Sequence, residues 1–285
     1  MNEEQIKQRV EDALSEKVES ILDISKGLDQ IVKIIKTEKN KYIYKAPRNR
    51  EETILIFREV FACEKMKGLV PVPKIIYKGD DFIIQEYIDG KNLDTVDLYG
   101  EQEKKIYCDL GKYLQKIHTV GTEGYGFIDI HGRGKLRTLR EMALGDIEKQ
   151  FLVLQEEKII SPSEIETLKK YIEQNKNYLD SDEKVFLHFD YEDDNVLIKG
   201  EKIMGIIDFG DISSGPRAFD LVRPYIRYYK TKNWDYFLEG YGEVDIEEVK
   251  YFTTLSLLWM IPFHHKIADR DGMEKRLKIL RDIVK

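Results

Sequence analysis

The sequence predicts an α+β chain: a small N-terminal lobe built on a β-sheet, followed by a larger, mainly helical lobe. Three observations carry that expectation. Residues 1–89 interleave short β-branched or aromatic runs with two amphipathic stretches, helical apolar spacing dominates from Glu101 onward, and strand signals return once, between Lys184 and Ile207. With 285 residues, 42% hydrophobic and 35% charged, the chain has apolar matter enough for one large domain or two smaller ones.

Taken in order, Ile6, Val10, Ala13, Leu14 and Val18 stripe a leading helix from Glu3 to about Ser20. The loop Ser25-Lys26-Gly27-Leu28-Asp29 follows. Runs at Gln30 to Lys36 and Lys41 to Ala46 flank the polar Thr37-Glu38-Lys39-Asn40 and make a hairpin. Arg50 to Lys67 carries Ile54, Phe57 and Phe61 at helical intervals and stops at Gly68, a residue suited to a left-handed cap. Pro71 and Pro73 force extended chain, and Gly79-Asp80 joins a second hairpin of Lys74 to Lys78 with Asp81 to Tyr87. A boundary is expected at Asp89-Gly90, giving lobes of residues 1–89 and 90–285. Beyond it, Ile106, Leu110, Leu114 and Ile117 mark one helix, and Ile165, Leu168 and Ile172 another. Lys184 to Leu187, Val196 to Lys199 and Lys202 to Ile207 read as strands, with helices from Arg217 to the end.

Composition removes several function classes. The 53 acidic residues against 46 basic ones give a net charge of -7, which disfavours a nucleic-acid binder, because such a protein needs a cationic face. The start MNEEQIKQRVEDALSEK is charged where a signal peptide is apolar, and no uncharged apolar run reaches about 18 residues, so a cytoplasmic protein without a membrane span is expected. Cys63 and Cys108 build no disulfide framework and are expected as packed thiols.

The chemistry concentrates in Leu187-His188-Phe189-Asp190-Tyr191-Glu192-Asp193-Asp194-Asn195 and Ile206-Ile207-Asp208-Phe209-Gly210. Two apolar runs bracket a polar loop in which an asparagine follows an aspartate by five positions and a second aspartate closes the next strand. ATP-dependent phosphoryl transfer needs that set. One carboxylate, Asp190, meets the acceptor hydroxyl, while the Asn195 amide oxygen and the Asp208 carboxylate are hard ligands for Mg2+. Upstream, Lys45 ends the second strand and Glu59 lies mid-helix, the lysine and glutamate that position phosphates. Backbone N–H groups of Ser25 to Asp29, with Ser25 and Gly27 as contacts, stand where a loop could cover phosphates.

With those residues in place, the chain resembles the aminoglycoside phosphotransferase and choline kinase-like superfamily of small-molecule kinases. The likeness runs through the Lys45 strand, Arg58-Glu59, Val70-Pro71-Val72-Pro73-Lys74, Gln85-Glu86-Tyr87-Ile88-Asp89-Gly90, Leu114-Gln115-Lys116-Ile117-His118 and both catalytic stretches. It implies a protein-kinase-like two-lobed fold, ATP or GTP with Mg2+ as cofactors, Asp190 as catalytic base, and adenine contacts at the Glu86 carbonyl and the Ile88 N–H. Gly124-Tyr125-Gly126-Phe127, the segment Gly132 to Leu139 and the aromatic Tyr191 look most similar to the hygromycin-type branch. His188-Phe189-Asp190 stands where that family usually has His-Gly-Asp. No Ala-Pro-Glu follows Asp208, which argues against a protein kinase.

Between Asp180 and Asp220, 11 acidic residues face 4 basic ones, so the expected acceptor is a small cationic molecule such as an aminoglycoside, with Glu192, Asp193 and Asp194 drawing it in. The alternatives are a metabolic kinase of choline, a sugar or an amino alcohol, and a catalytically silent kinase-like protein. A monomer or weak dimer is expected. His118, and the His264-His265 pair, are expected to be packed rather than metal-bound.

Overall fold

The computed structural model describes residues 2–24 and 30–285. Its elements run α1 (Glu3–Leu14), β1 (Val18–Asp23), β2 (Gln30–Thr37), β3 (Lys41–Pro47), α2 (Thr53–Met66), β4 (Ile75–Lys78), β5 (Ile83–Glu86) and β6 (Lys91–Asn92). Then come α3 (Gly100–Ile117), β7 (Tyr125–Ile128), β8 (Gly134–Leu136), α4 (Leu139–Leu144), α5 (Ile147–Glu156), α6 (Pro162–Gln174), β9 (Val185–Leu187), β10 (Val196–Lys199) and β11 (Lys202–Ile206). The chain closes with β12 (Ser213–Gly215), α7 (Ala218–Arg227), α8 (Lys232–Tyr241), α9 (Ile246–Lys266) and α10 (Arg270–Ile283). An antiparallel N-terminal sheet and a mainly helical remainder make this the mixed α and β fold expected. The chain divides into two compact units. One holds the residues up to Tyr99 with Asp129–Gly132 and Asp193–Ile212; the other holds Gly100–Ile128, Arg133–Glu192 and Ser213–Lys285.

In the first unit α1 is shorter than its apolar stripe suggests. It opens on a capping box, where the Asn2 side chain accepts from the Gln5 N–H at 2.9 Å and the Gln5 side chain accepts from the Asn2 N–H at 3.0 Å. It stops at Leu14 because Ser15 turns left-handed, φ 54, and donates to the Glu11 carbonyl. Val18, expected on the helix, therefore starts β1 instead. Five antiparallel strands follow in the order β1-β2-β3-β5-β4. Alternation along β3 decides what the sheet presents: Tyr42, Tyr44 and Ala46 pack with Ile6 and Val10 of α1. Lys45 points the other way, across from Val32 and Ile83, and Ile83 packs against Ile56 and Val60 of α2. A three-stranded sheet, β11-β10-β6, completes the unit.

The second unit gathers α3 to α10 around a four-stranded sheet ordered β8-β7-β12-β9. Of those strands only β9 was expected, since Ser213-Ser214-Gly215 has no β-forming side chain and β7 and β8 span four and three residues. Two glycines let α3 and α8 touch. A Cβ at Gly111 would sit 2.0 Å from the Phe237 carbonyl oxygen, and one at Gly240 would sit 1.8 Å from that of Cys108. Among the described residues no helix is long and apolar enough to cross a membrane.

Candidate active site

Lys45 reaches Glu59 because both point into the space between β3 and α2. Its Nζ lies 3.0 Å from Glu59 Oε1 and 3.5 Å from Asp208 Oδ1. Glu59 is wholly buried and takes donors from three further places in the chain order: Lys45, the Gln85 amide at 3.0 Å and, on its second oxygen, the Phe209 N–H at 3.0 Å. A buried carboxylate needs such saturation to stay charged. Burial pulls the Lys45 ammonium down, but Glu59 and then Asp208 outweigh it and hold its pKa above the ordinary lysine value. Burial pushes the nearby Cys63 thiol up, so Cys63 is a packed thiol; Cys108 is half-buried.

Asn195 and Asp208 are brought to one end of the β10–β11 hairpin. Val196 pairs with Ile206, and the Ile207 N–H donates to the Asn195 carbonyl at 2.9 Å. Asp208 is left-handed, φ 65, a conformation aspartate tolerates better than most side chains. One amide oxygen and one carboxylate suit Mg2+, which takes few protein ligands and fills its shell with phosphates and water. No cluster of three or more His, Cys, Asp or Glu that could hold a metal unaided occurs among the described residues. Glu86 ends β5, its N–H bonded to the Lys74 carbonyl at 2.9 Å, and the Ile88 side chain lies over Gly205. Ser25 and Gly27 lie outside the described residues.

In the second unit the loop after β9 is held from α7. Asp220, fully buried, accepts from the His188 N–H at 2.7 Å and the Phe189 N–H at 2.5 Å, and its Oδ2 is 3.1 Å from His118 Nε2. His118 Nδ1 is in turn 2.7 Å from the Tyr241 hydroxyl, whose pKa burial raises. These bonds hold Phe189 at φ 69, a left-handed conformation that costs a side chain about 1–2 kcal/mol. Tyr191 is buried and its hydroxyl donates to the Leu110 carbonyl at 3.0 Å, tying the loop to α3. Asp190 Oδ1 lies 3.2 Å from Arg223 Nη2, and Arg223 Nη1 lies 2.8 Å from Glu192 Oε1. Of the acidic run, Glu192 is thus ion-paired, Asp193 is buried at 3% exposure, and Asp194 is exposed with its carbonyl accepting from Asn92. His264 pairs with Asp269 at 2.6 Å and His265 with Glu157 at 3.4 Å, so both imidazoles have carboxylate neighbours.

The phosphotransferase enzyme family (APH) matches residues 20–252. The chain belongs to that family. An aminoglycoside 3'-phosphotransferase of Niallia circulans is 26% identical over 215 residues, covering 69% of this chain and 76% of the relative. Among solved structures, a thermostable mutant of aminoglycoside phosphotransferase APH(4)-Ia in ternary complex with AMP-PNP and hygromycin B has a TM-score of 0.76 at 12% identity, covering 98% of each chain. The gentamicin complex of APH(2")-IIa has a TM-score of 0.71 at 18% identity, covering 98% of this chain and 96% of that one. At those identities the structures share a fold. They include hygromycin-bound and gentamicin-bound proteins alike, so the hygromycin-type branch is not singled out.

For this phosphotransferase, sequence reasoning named the residues that the first unit brings together: Lys45, Glu59 and Asp208 touch, and Asn195 shares a hairpin end with Asp208. It missed Asp220, Arg223 and Gln85. Asp220 and Arg223 stand three apart on α7 and so share a face. That spacing, with an aspartate in the first turn of a buried helix, was the one signal available.

Proposed function

We propose that this phosphotransferase moves the γ-phosphate of ATP, bound with Mg2+, to a hydroxyl of a small cationic acceptor of the aminoglycoside kind. The observation that carries the proposal is the buried Lys45–Glu59 pair with Asp208 3.5 Å from the ammonium. A lysine buried at that cost, yet charged throughout the physiological range, suits the recognition of phosphate oxygens. Mg2+, when bound by Asn195 and Asp208 together with the phosphates, supplies charge neutralisation on the transferring group. Lys45, fixed by Glu59, orients the phosphates and removes their freedom before reaction. Asp190 accepts a hydrogen bond from the acceptor hydroxyl, aligns its oxygen and takes its proton as the bond to the γ-phosphorus forms and the bond from that phosphorus to the bridging oxygen breaks, leaving ADP. Asp220 holds the backbone from which Asp190 projects, and Arg223 restrains its carboxylate.

Nucleotide binding is assigned to residues 1–89, with Glu86 and Ile88 against the adenine. Base and acceptor belong to residues 90–285, and the Asn195–Asp208 hairpin serves the metal. The acceptor class rests on the relatives, which are described with aminoglycosides, and on the acidic excess around Asp190. Because the co-substrate is ATP, the place of work is the cytoplasm. The test is acceptor-dependent ADP release with Mg2+, in parallel with a mass gain of one phosphoryl group on the acceptor. Aminoglycosides should turn over ahead of choline and simple sugars. Release of ADP with no phosphorylated acceptor from any class would contradict the proposal.

A further inference from the structure

α9 is buried without interruption from Tyr251 to Leu258, and again at Met260 and Ile261, yet Trp259 between them is 41% exposed. The stretch is buried on every side, Thr253, Thr254 and Ser256 included, so the indole of Trp259 is the one opening in it. Phe263, 42% exposed, follows four residues later and so shares the same face. The position of that face is fixed by Arg223. Its guanidinium carbon lies 5.8 Å from the Trp259 ring centroid, while Nη2 and Nη1 reach Asp190 at 3.2 Å and Glu192 at 2.8 Å. A single guanidinium therefore separates the exposed indole from the Asp190 carboxylate.

Charge at this spot is close to balanced. Asp190 and Glu192 share Arg223, and Arg276 lies near enough to Glu192 and Arg223 for both to act on its own pKa, which burial lowers. His264 faces Asp269. An ammonium placed on Trp259 would meet guanidinium charge as well as carboxylates. A neutral ring suits the surface better: its C–H face covers the indole, and its rim hydroxyls reach charged hydrogen-bonding groups.

We propose that Trp259, with Arg223 seated on it, is the platform for a polyhydroxylated sugar or cyclitol ring of the acceptor, which turns one hydroxyl to Asp190 and keeps its amines away from Arg223. The role given to Asp190 rests on the phosphotransfer proposal. The platform narrows the acceptor to ring compounds and demotes small linear amines such as choline.

The protein has two tryptophans, Trp234 and Trp259, so Trp234→Phe leaves Trp259 as the lone indole reporter. Trp234 stacks on Phe237 and meets Tyr225 edge-on, contacts a phenylalanine ring keeps. In that variant, without nucleotide, hygromycin B or gentamicin should cut acrylamide quenching of Trp259 about twofold or more, while choline and spermine should leave it unchanged. In turnover, Trp259→Ala should raise the acceptor KM about tenfold, with kcat and the KM for ATP kept within about twofold, and Trp259→Phe should recover most of the loss. Ring compounds that leave Trp259 quenching unchanged overturn the platform, and so does an unchanged acceptor KM in a folded Trp259→Ala. Protection of Trp259 by ring compounds, with no phosphorylated acceptor formed from any class, supports the platform and sinks the phosphotransfer proposal, because the quenching arm needs no turnover.

Discussion

Glu59 and Lys45 show what a buried charge requires. Lys45→Met would leave Glu59 buried with amide donors alone, and breaking such a pair from one side costs roughly 3–5 kcal/mol. Urea unfolding should show that loss at neutral pH. The pH dependence has a definite sign. Because the folded pKa of Lys45 is raised above 10.5, the pair's contribution is fully present below that ordinary value and fades as pH climbs through the higher folded one. The stability gap between wild type and Lys45→Met should therefore be flat from neutral pH to about 10 and shrink above it. Asp208→Ala acts on another quantity, the affinity for the metal-nucleotide pair, and its defect in ATP binding should diminish as Mg2+ is raised. Binding unchanged at every Mg2+ concentration would remove Asp208 from the metal. Such residues were legible in the sequence because the chemistry dictates residue type and spacing together. Asp220 and Arg223 were not, since their partners lie 31 to 102 residues earlier in the chain, separations that no local pattern encodes. Nor does a run of like charges state a direction: Glu192, Asp193 and Asp194 stand in three different environments, one paired, one buried and one exposed.

At the scale of elements, two devices fix the residues behind the proposed base. The start of α7 carries Asp220, and two backbone N–H groups of the loop before Asp190 end on it. α3 and α8 meet backbone to backbone at Gly111 and Gly240, which places His118 and Tyr241, at the ends of those helices, within 2.7 Å of each other. Gly240→Ala inserts a methyl group where the Cys108 carbonyl stands and should lower stability by about 1–3 kcal/mol, read as a fall in melting temperature. An unchanged melting temperature would show that the helices separate at no cost. The hairpins of the first unit were readable from alternation and turn residues, as was α2. β1 was not, because Val18 continues the helical stripe while Ser15, an ordinary polar residue, ends the helix through its backbone. β7, β8 and β12 escaped for a different reason: strands of three or four residues, one of them serine and glycine alone, are specified by the neighbours they pair with and not by their own side chains.

Across the whole molecule, a net charge of -7 gives a field that favours cations over distances screened at about 10 Å in 0.1 M salt. The KM for a cationic acceptor should accordingly climb with ionic strength, while that for a neutral sugar should not. Equal salt dependence for both would refute electrostatic capture without touching the chemistry. The central claim is that Asp190 serves transfer of the ATP γ-phosphate to an acceptor hydroxyl, and the most direct measurement is phosphorylated acceptor formed by wild type and by Asp190→Asn, beside nucleotide affinity in each. The expected result is product from wild type, a loss of roughly 10²-fold or more in Asp190→Asn, and unchanged ATP affinity. Product formed at a rate within tenfold of wild type by Asp190→Asn, or no phosphorylated acceptor from wild type at all, would contradict it.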